Sequence, residues 1–342
     1  MQKTIPTPAA ALAALLVLTA PLAAQERAGH ASEHHTVRTH GGREHRSVEV
    51  RVSGRVDVNE AGDWVENVSP GGHVWLQERA GGTTRRLEFT RPSGGALRTR
   101  YWLNGREQAL DDEGRAWARA RIREEVRGGL GARERVERIR TRRGVQGVLD
   151  EAAGVHTDRA RRTYYTALLD GAPLSGGEFA RVVADAGRRM RSDAELRLLL
   201  AQAAGDATDA PRAAAVAEAT RGIRSDVERR LVLAQLARGG LPGDAQPAFF
   251  SAVEAMRSDL ERRLILSTLL DHATSESVSA AAVRSAAAMR SDVEKRLVLS
   301  RIPAAHLHSR RVQDALQHTV GTMRSDVERA LVLRRLTGEE VR

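Results

Sequence analysis

Five arginines sit in one recurring setting. Arg191, Arg224, Arg257, Arg290 and Arg324 each open a segment that reads Arg-Ser-Asp-x-Glu. A guanidinium is planar, permanently charged and able to grip a carboxylate with two hydrogen bonds, so a column of them would receive an acidic peptide or a glycan carboxylate. The same arginines have a structural reading, in which each neutralises the aspartate or glutamate of its own or an adjacent segment, and residue types alone favour that one. The serines recur at 192, 225, 258, 291 and 325, spacings of 33, 33, 33 and 34 residues. Packed helices lie about 10 Å apart, which sets the expected interval of the column. Aspartates so separated cannot share one cation, whose oxygen ligands must approach to ~2.3 Å.

Other chemistry is thinly represented. The stretch Gln25 to Arg46 carries His30, His34, His35, His40 and His45, a density at which imidazoles chelate Zn, Cu or Ni, although a solvated spacer accounts for the same composition. His306-Leu307-His308 lacks a nearby carboxylate cluster and reads as surface histidine. With no cysteine, disulfides, thiol nucleophiles and Cys-ligated metals are excluded. The only lysines are Lys3 and Lys295, which removes P-loop and Schiff-base mechanisms resting on further lysines. His-Glu-x-x-His, Gly-x-Ser-x-Gly and Gly-x-Gly-x-x-Gly are absent. The expectation is a protein with no catalytic, metal or cofactor site.

The repeated motif must sit on helices. Ser-Asp-x-Glu is the signature of a capping box: the serine accepts from the backbone N–H three residues on, the glutamate reaches back to the serine N–H, and the aspartate meets the positive helix end. The predicted pairs are Ser192 with Glu195, Ser225 with Glu228, Ser258 with Glu261, Ser291 with Glu294 and Ser325 with Glu328. Val227, Leu231, Val232, Leu233 and Leu236 then form a broad apolar stripe, with Glu228, Arg229 and Arg230 turned to solvent or neighbours. Before each motif lies an Ala-rich helical run, such as 213–223 or 246–256, ending in a recurrent Met or Ile. An earlier copy, VHTDRARRTYYTALL, places Thr157 where the serine stands elsewhere. Two helices per period of the low thirties predict an α-solenoid over 155–342, each unit burying its apolar face on the next.

Upstream the pattern changes. Val48, Val50 and Val52 alternate, Val56 and Val58 follow after Gly54, and further strand-like runs are separated by Gly- and Pro-rich turns. The prediction is an antiparallel meander over 47–108, holding Trp64, Trp75, Tyr101 and Trp102. Those aromatics read as core of a small sheet, with a ligand platform as the alternative. A helix opening at Asp111-Asp112-Glu113 and ending at Gly128-Gly129, then a second from Ala132 to Arg142, form a basic connector over 109–154. The fold class expected is α+β, mainly α. Residues 1–24, with Lys3, an apolar Ala- and Leu-rich run and Leu22-Ala23-Ala24, have the layout of a signal peptide, and 25–46 read as a disordered linker. The chain is therefore expected to be periplasmic or secreted, without a stable membrane span once the leader is removed.

The formal charge of +10 divides evenly along the chain. Residues 25–154 hold 24 basic and 20 acidic side chains, and residues 155–342 hold 29 and 24. Neither half is a basic arm, so nucleic acid is not the expected partner.

A β module followed by Ser-Asp-x-Glu-[Arg/Lys]-Arg-Leu-[Val/Ile]-Leu units resembles the extracytoplasmic region associated with bacterial antibiotic-sensor-type M56 metallopeptidases, over about residues 47 to 342. The multipass part and the zinc-binding motif of that family are not in the sequence, so the resemblance carries over no catalytic residue and implies a sensing, docking or regulatory module. The reading that results is a non-enzymatic exported scaffold binding an envelope protein or peptide through its repeats. The alternative is an envelope ligand sensor using the aromatic β module, with the repeats as transmitter.

Overall fold

A computed structural model describes the backbone of residues 32–37, 40–41 and 44–337, with side chains over 46–334. The candidate leader, residues 25–31 and the tail 338–342 lie outside the described residues. The chain divides into two compact units, one comprising the segments up to Gly54 and Ser69–Arg106, the other Arg55–Val68 and Glu107 onward.

In the first unit β1 (Ser32–Val37), β4 (Ser47–Ser53), β7 (His73–Ala80), β8 (Thr83–Thr90), β9 (Arg98–Leu103) and β10 (Arg106–Gln108) form an antiparallel sheet in that order, beside the short ribbon of β2 (His40–Gly41) and β3 (Glu44–His45). Strand β1 corrects the linker expected over 25–46. Its sequence has no apolar alternation, but pairing of Ser32–Val37 with Val48–Ser53 needs only backbone groups against an open strand edge. Across the sheet Val50, Leu76, Leu87 and Tyr101 stand in one register row and are buried. The row beside it, Arg51, Trp75, Glu88 and Arg100, points to the opposite face because side chains alternate along a strand.

The strands are not a simple meander. Gly54 turns the chain out of the sheet at φ +83, packed so tightly that an added Cβ would lie 2.2 Å from Ser69 Oγ. The hairpin that follows, β5 (Val56–Val58) and β6 (Val65–Val68), belongs to the helical unit. Val56, Val58, Val65 and Val68 are all buried there, and Arg135 donates from Nη1 to the carbonyls of Asn59 (3.3 Å) and Glu60 (3.2 Å) while its Nε donates to Glu151 (2.8 Å). Period-two apolar residues mark the hairpin as β; the neighbours it packs on are chosen by Arg135, some 75 residues downstream.

In the second unit α1 (Asp112–Arg127) starts at Asp111, whose side chain accepts from Gly114 N, and buries Gly114, Ala118, Ile122 and Val126 at a spacing of four. Trp117 is half-buried. Helix α2 (Ala132–Ala153) breaks at Gly144, where φ is +66. Its second half puts Val145, Val148, Leu149 and Ala152 into the core of the repeats, so the stack starts before residue 155.

Six helical pairs then follow. The first members are 145–153 of α2, α4 (Gly176–Arg189), α6 (Ala210–Ala219), α8 (Gln246–Glu254), α10 (Glu276–Ala286) and α12 (Arg310–Gly321). The second members are α3 (Asp158–Asp170), α5 (Asp193–Gly205), α7 (Asp226–Arg238), α9 (Asp259–Asp271), α11 (Asp292–Leu299) and α13 (Asp326–Thr337). Each second helix begins at the aspartate of the motif, as the cap chemistry predicts. Between the two members the recurrent Met190, Ile223, Met256, Met289 and Met323 are buried, pinning each turn to a continuous aliphatic core. The chain is mainly α with a small antiparallel sheet.

Candidate functional site

The five serines are N-caps. Ser192, Ser225, Ser258, Ser291 and Ser325 each accept at Oγ from the backbone N–H of Glu195, Glu228, Glu261, Glu294 and Glu328, at 3.3–3.4 Å. Thr157, in the earlier copy, accepts from Ala160 N. The other half of the capping box is not formed at the motif. Among the described residues the reciprocal pair closes at Ser175 and Glu178, on α4.

What replaces it is a contact between repeats. The serine N–H groups donate to the aspartate of the preceding copy: Ser192 to Asp158 (2.6 Å), Ser225 to Asp193 (2.8 Å), Ser258 to Asp226 (2.8 Å), Ser291 to Asp259 (2.8 Å) and Ser325 to Asp292 (2.7 Å). The same carboxylates also accept from the backbone N–H of Arg191, Arg257, Arg290 and Arg324. One oxygen thus satisfies two otherwise unpaired donors ahead of the next helix, which is why the segment is so uniform. Burial would raise the carboxyls of Asp158 and Asp292, but the N–H groups of Ser192 and Arg191, and of Ser325 and Arg324, together with Arg161 and Lys295, outweigh it and hold both below the ordinary range.

Freed from the cap, each glutamate pairs with the arginine five residues after the cap residue of the preceding copy. The pairs are Arg162–Glu195 (2.6 Å), Arg197–Glu228, Arg230–Glu261, Arg263–Glu294 and Arg296–Glu328 (2.5 Å). A third set caps the first helices. Within a repeat, Arg229 is buried and donates to the carbonyl of Ile223, Arg262 to that of Met256 and Arg329 to that of Met323; Lys295 Nζ instead reaches forward to the carbonyl of Thr322 (3.1 Å) in the next repeat. These cations close the negative end of the first helix. Burial pulls the Arg229 guanidinium below its usual value. Solvent or neighbours were the expected surroundings of Arg229; the carbonyl of Ile223 as its partner became visible only with the fold.

After these three sets, one cation per motif remains outward. All five predicted arginines, Arg191, Arg224, Arg257, Arg290 and Arg324, are exposed. Arg224 reaches back with Nη2 to the carbonyl of Arg191 (2.7 Å) and with Nε to Asp193 (3.4 Å), and Arg290 Nη2 reaches the carbonyl of Arg257 (3.1 Å). Successive members of the column are therefore neighbours. The guanidinium groups of Arg191, Arg257 and Arg324 bond to no other side chain or carbonyl among the described residues.

Beside them the apolar stripe is split. Val232, Leu233 and Leu236 are buried, while Val227 and Leu231 face outward. Two residues after four of the five serines stand Val227, Leu260, Val293 and Val327, 45–69% exposed, and six residues after Ser192 and Ser225 stand Leu198 and Leu231, 40% exposed or more. These positions lie four apart on one helical face. Farther along the same helices an open groove of about 280 Å³ is lined by Arg263, Ser267, Leu297, Ser300 and Arg301.

The sheet offers a second surface. Arg51 stacks on Trp75 at 4.7 Å, and Arg86 and Arg100 on Trp102 at 3.6 and 4.8 Å. A shallow groove of about 380 Å³ beside Trp75 is lined by Arg51, His73, Glu88, Arg91 and Ser93. Tyr101 and Trp102 are buried, as expected of these aromatics, Trp102 on the opposite face of the sheet beneath Arg86 and Arg100, whereas Trp75 on that face is half-buried. His306, one of the paired histidines, bonds Ser279 Oγ at 2.8 Å. No group of three or more His, Asp or Glu that could hold a metal occurs among the described residues, and no helix there is long and apolar enough to cross a membrane. No family model matches this chain, and no match is found among the curated proteins or the solved structures.

Proposed function

We propose that this chain is a non-enzymatic exported docking protein that binds an envelope protein or peptide through its helical repeats. The observation that carries the reading is the coincidence, on the same helices, of an outward arginine column with exposed aliphatic side chains, after every other charge of the motif has been used between or within repeats. Val227, Leu260, Val293 and Val327 are exposed outside the buried core, and apolar side chains repeated on one face are the usual substance of a binding surface. The layout of residues 1–24 and the resemblance to sensor regions support the envelope as the setting.

Capture from an envelope extract tests it. The wild-type chain is expected to retain a specific partner that Arg257→Glu with Arg290→Glu releases, while the far-ultraviolet circular dichroism of the variant stays unchanged. Retention by the variant would remove the repeats from the interaction.

The groove beside Trp75 favours a second reading, an envelope ligand sensor. In that case a small envelope metabolite quenches tryptophan fluorescence in the wild type and not in Trp75→Phe.

A further inference from the structure

Resting on the docking reading, the column geometry specifies the chemistry of the ligand. In the copies at Ser225, Ser258 and Ser291, the seven residues from the arginine onward hold three cations and two carboxylates. The carboxylates are consumed, the glutamates by Arg197, Arg230 and Arg263, the aspartates by the backbone of the next copy. Each of these copies therefore carries a net positive charge with its first arginine outward, Arg257 and Arg290 without a carboxylate partner among the described residues and Arg224 sharing Asp193 at 3.4 Å, and a patch of this sign selects an anionic partner.

The interval is the second constraint. Neighbouring second helices carry the column at roughly 10 Å per step. A polyproline II chain turns once in three residues and rises about 9.3 Å per turn, so every third side chain points the same way and falls in step with the arginines. A β-strand cannot do this, since residues three apart lie on opposite faces. The side chain following the acidic one in such a ligand is turned by a third of a rotation. It is thereby aimed beside the arginines, where Val227, Leu260, Val293 and Val327 are exposed three residues farther along the chain.

We propose that the repeats bind an extended acidic peptide in polyproline II form, with a carboxylate at every third residue and an aliphatic side chain next to it. The peptide runs across the helices from Arg191 to Arg324.

A labelled peptide of five Glu-Leu-Pro units spans about 46 Å, enough for five arginines. Fluorescence anisotropy with the full chain at low salt is expected to show binding that Arg257→Ala weakens about two- to fivefold, as loss of one exposed ion pair does. Arg257→Ala with Arg290→Ala and Arg324→Ala should weaken it about tenfold or more, and Leu260→Ser should weaken it without changing the melting temperature. Three results would overturn the inference: equal binding of a peptide with the same residues but its glutamates gathered at one end, tighter binding of a helical peptide with glutamate at every seventh residue, or attachment to vesicles containing anionic lipid with none to the peptide. If the peptide fails while a captured envelope partner is still released by Arg257→Glu with Arg290→Glu, the ligand chemistry is wrong and the docking reading stands. If the partner too is indifferent, both fall.

Discussion

Asp259 and Asp326 occupy the same position in two copies of one motif and have different tasks. Asp259 accepts the N–H groups of Arg290 and Ser291, and its side chain is 13% exposed; Asp326 has no following copy among the described residues, and its side chain is 93% exposed. Asp259→Ala therefore leaves two donors without an acceptor and should cost about 2 kcal/mol, whereas Asp326→Ala should stay within about 0.5 kcal/mol. Urea midpoints of the two variants, at unchanged slope, check the difference. The cap serines are alike in sequence and in structure, and Ser258→Ala is expected to cost about 1 kcal/mol, the worth of one cap.

Among the elements, the paired helices are held by their shared turn and by side chains passed from one copy to the next. Met256 is buried at the turn between α8 and α9, where Met256→Ala should cost about 2–4 kcal/mol in the same unfolding measurement. Arg263 and Glu294, about one-fifth exposed, join α9 to α11; solvent screening limits a double-mutant cycle on them to a coupling of about 0.5–1 kcal/mol. Helix starts were legible because a cap is local, its donor and acceptor lying three residues apart. The inter-repeat bonds were written there too, in the aspartate and arginine that recur with the period, but Ser-x-x-Glu is itself a sufficient explanation of Glu294, and only the position of Arg263 shows which bond wins. The hairpin of β5 and β6 makes the same point, its strands readable from alternation and its place decided by Arg135.

At the scale of the molecule, stacking should fail in acid. The carboxyls of Asp158 and Asp292 lie below their unfolded values, so their contribution is complete above the unfolded pKa of about 4 and is lost as pH falls through the lowered native values. Glu125 and Glu134, raised by burial, act with the opposite sign and blunt the loss. Circular dichroism between pH 5 and 2 should show helix lost below pH 4, and Asp292→Asn should flatten that slope while lowering stability at neutral pH. An unchanged slope would show that Asp292 titrates alike in both states.

The amino-acid order by itself determined the period, the helix starts, the aliphatic core and the strand segments between Ser47 and Leu103, because each depends on neighbours within a few residues or on a repeated face. Tertiary structure alone decided which charges are used up and which remain. An arginine before the serine and one four residues after it look equivalent in the chain; burial against the end of the preceding helix takes the second out of solvent, and the first is left outside.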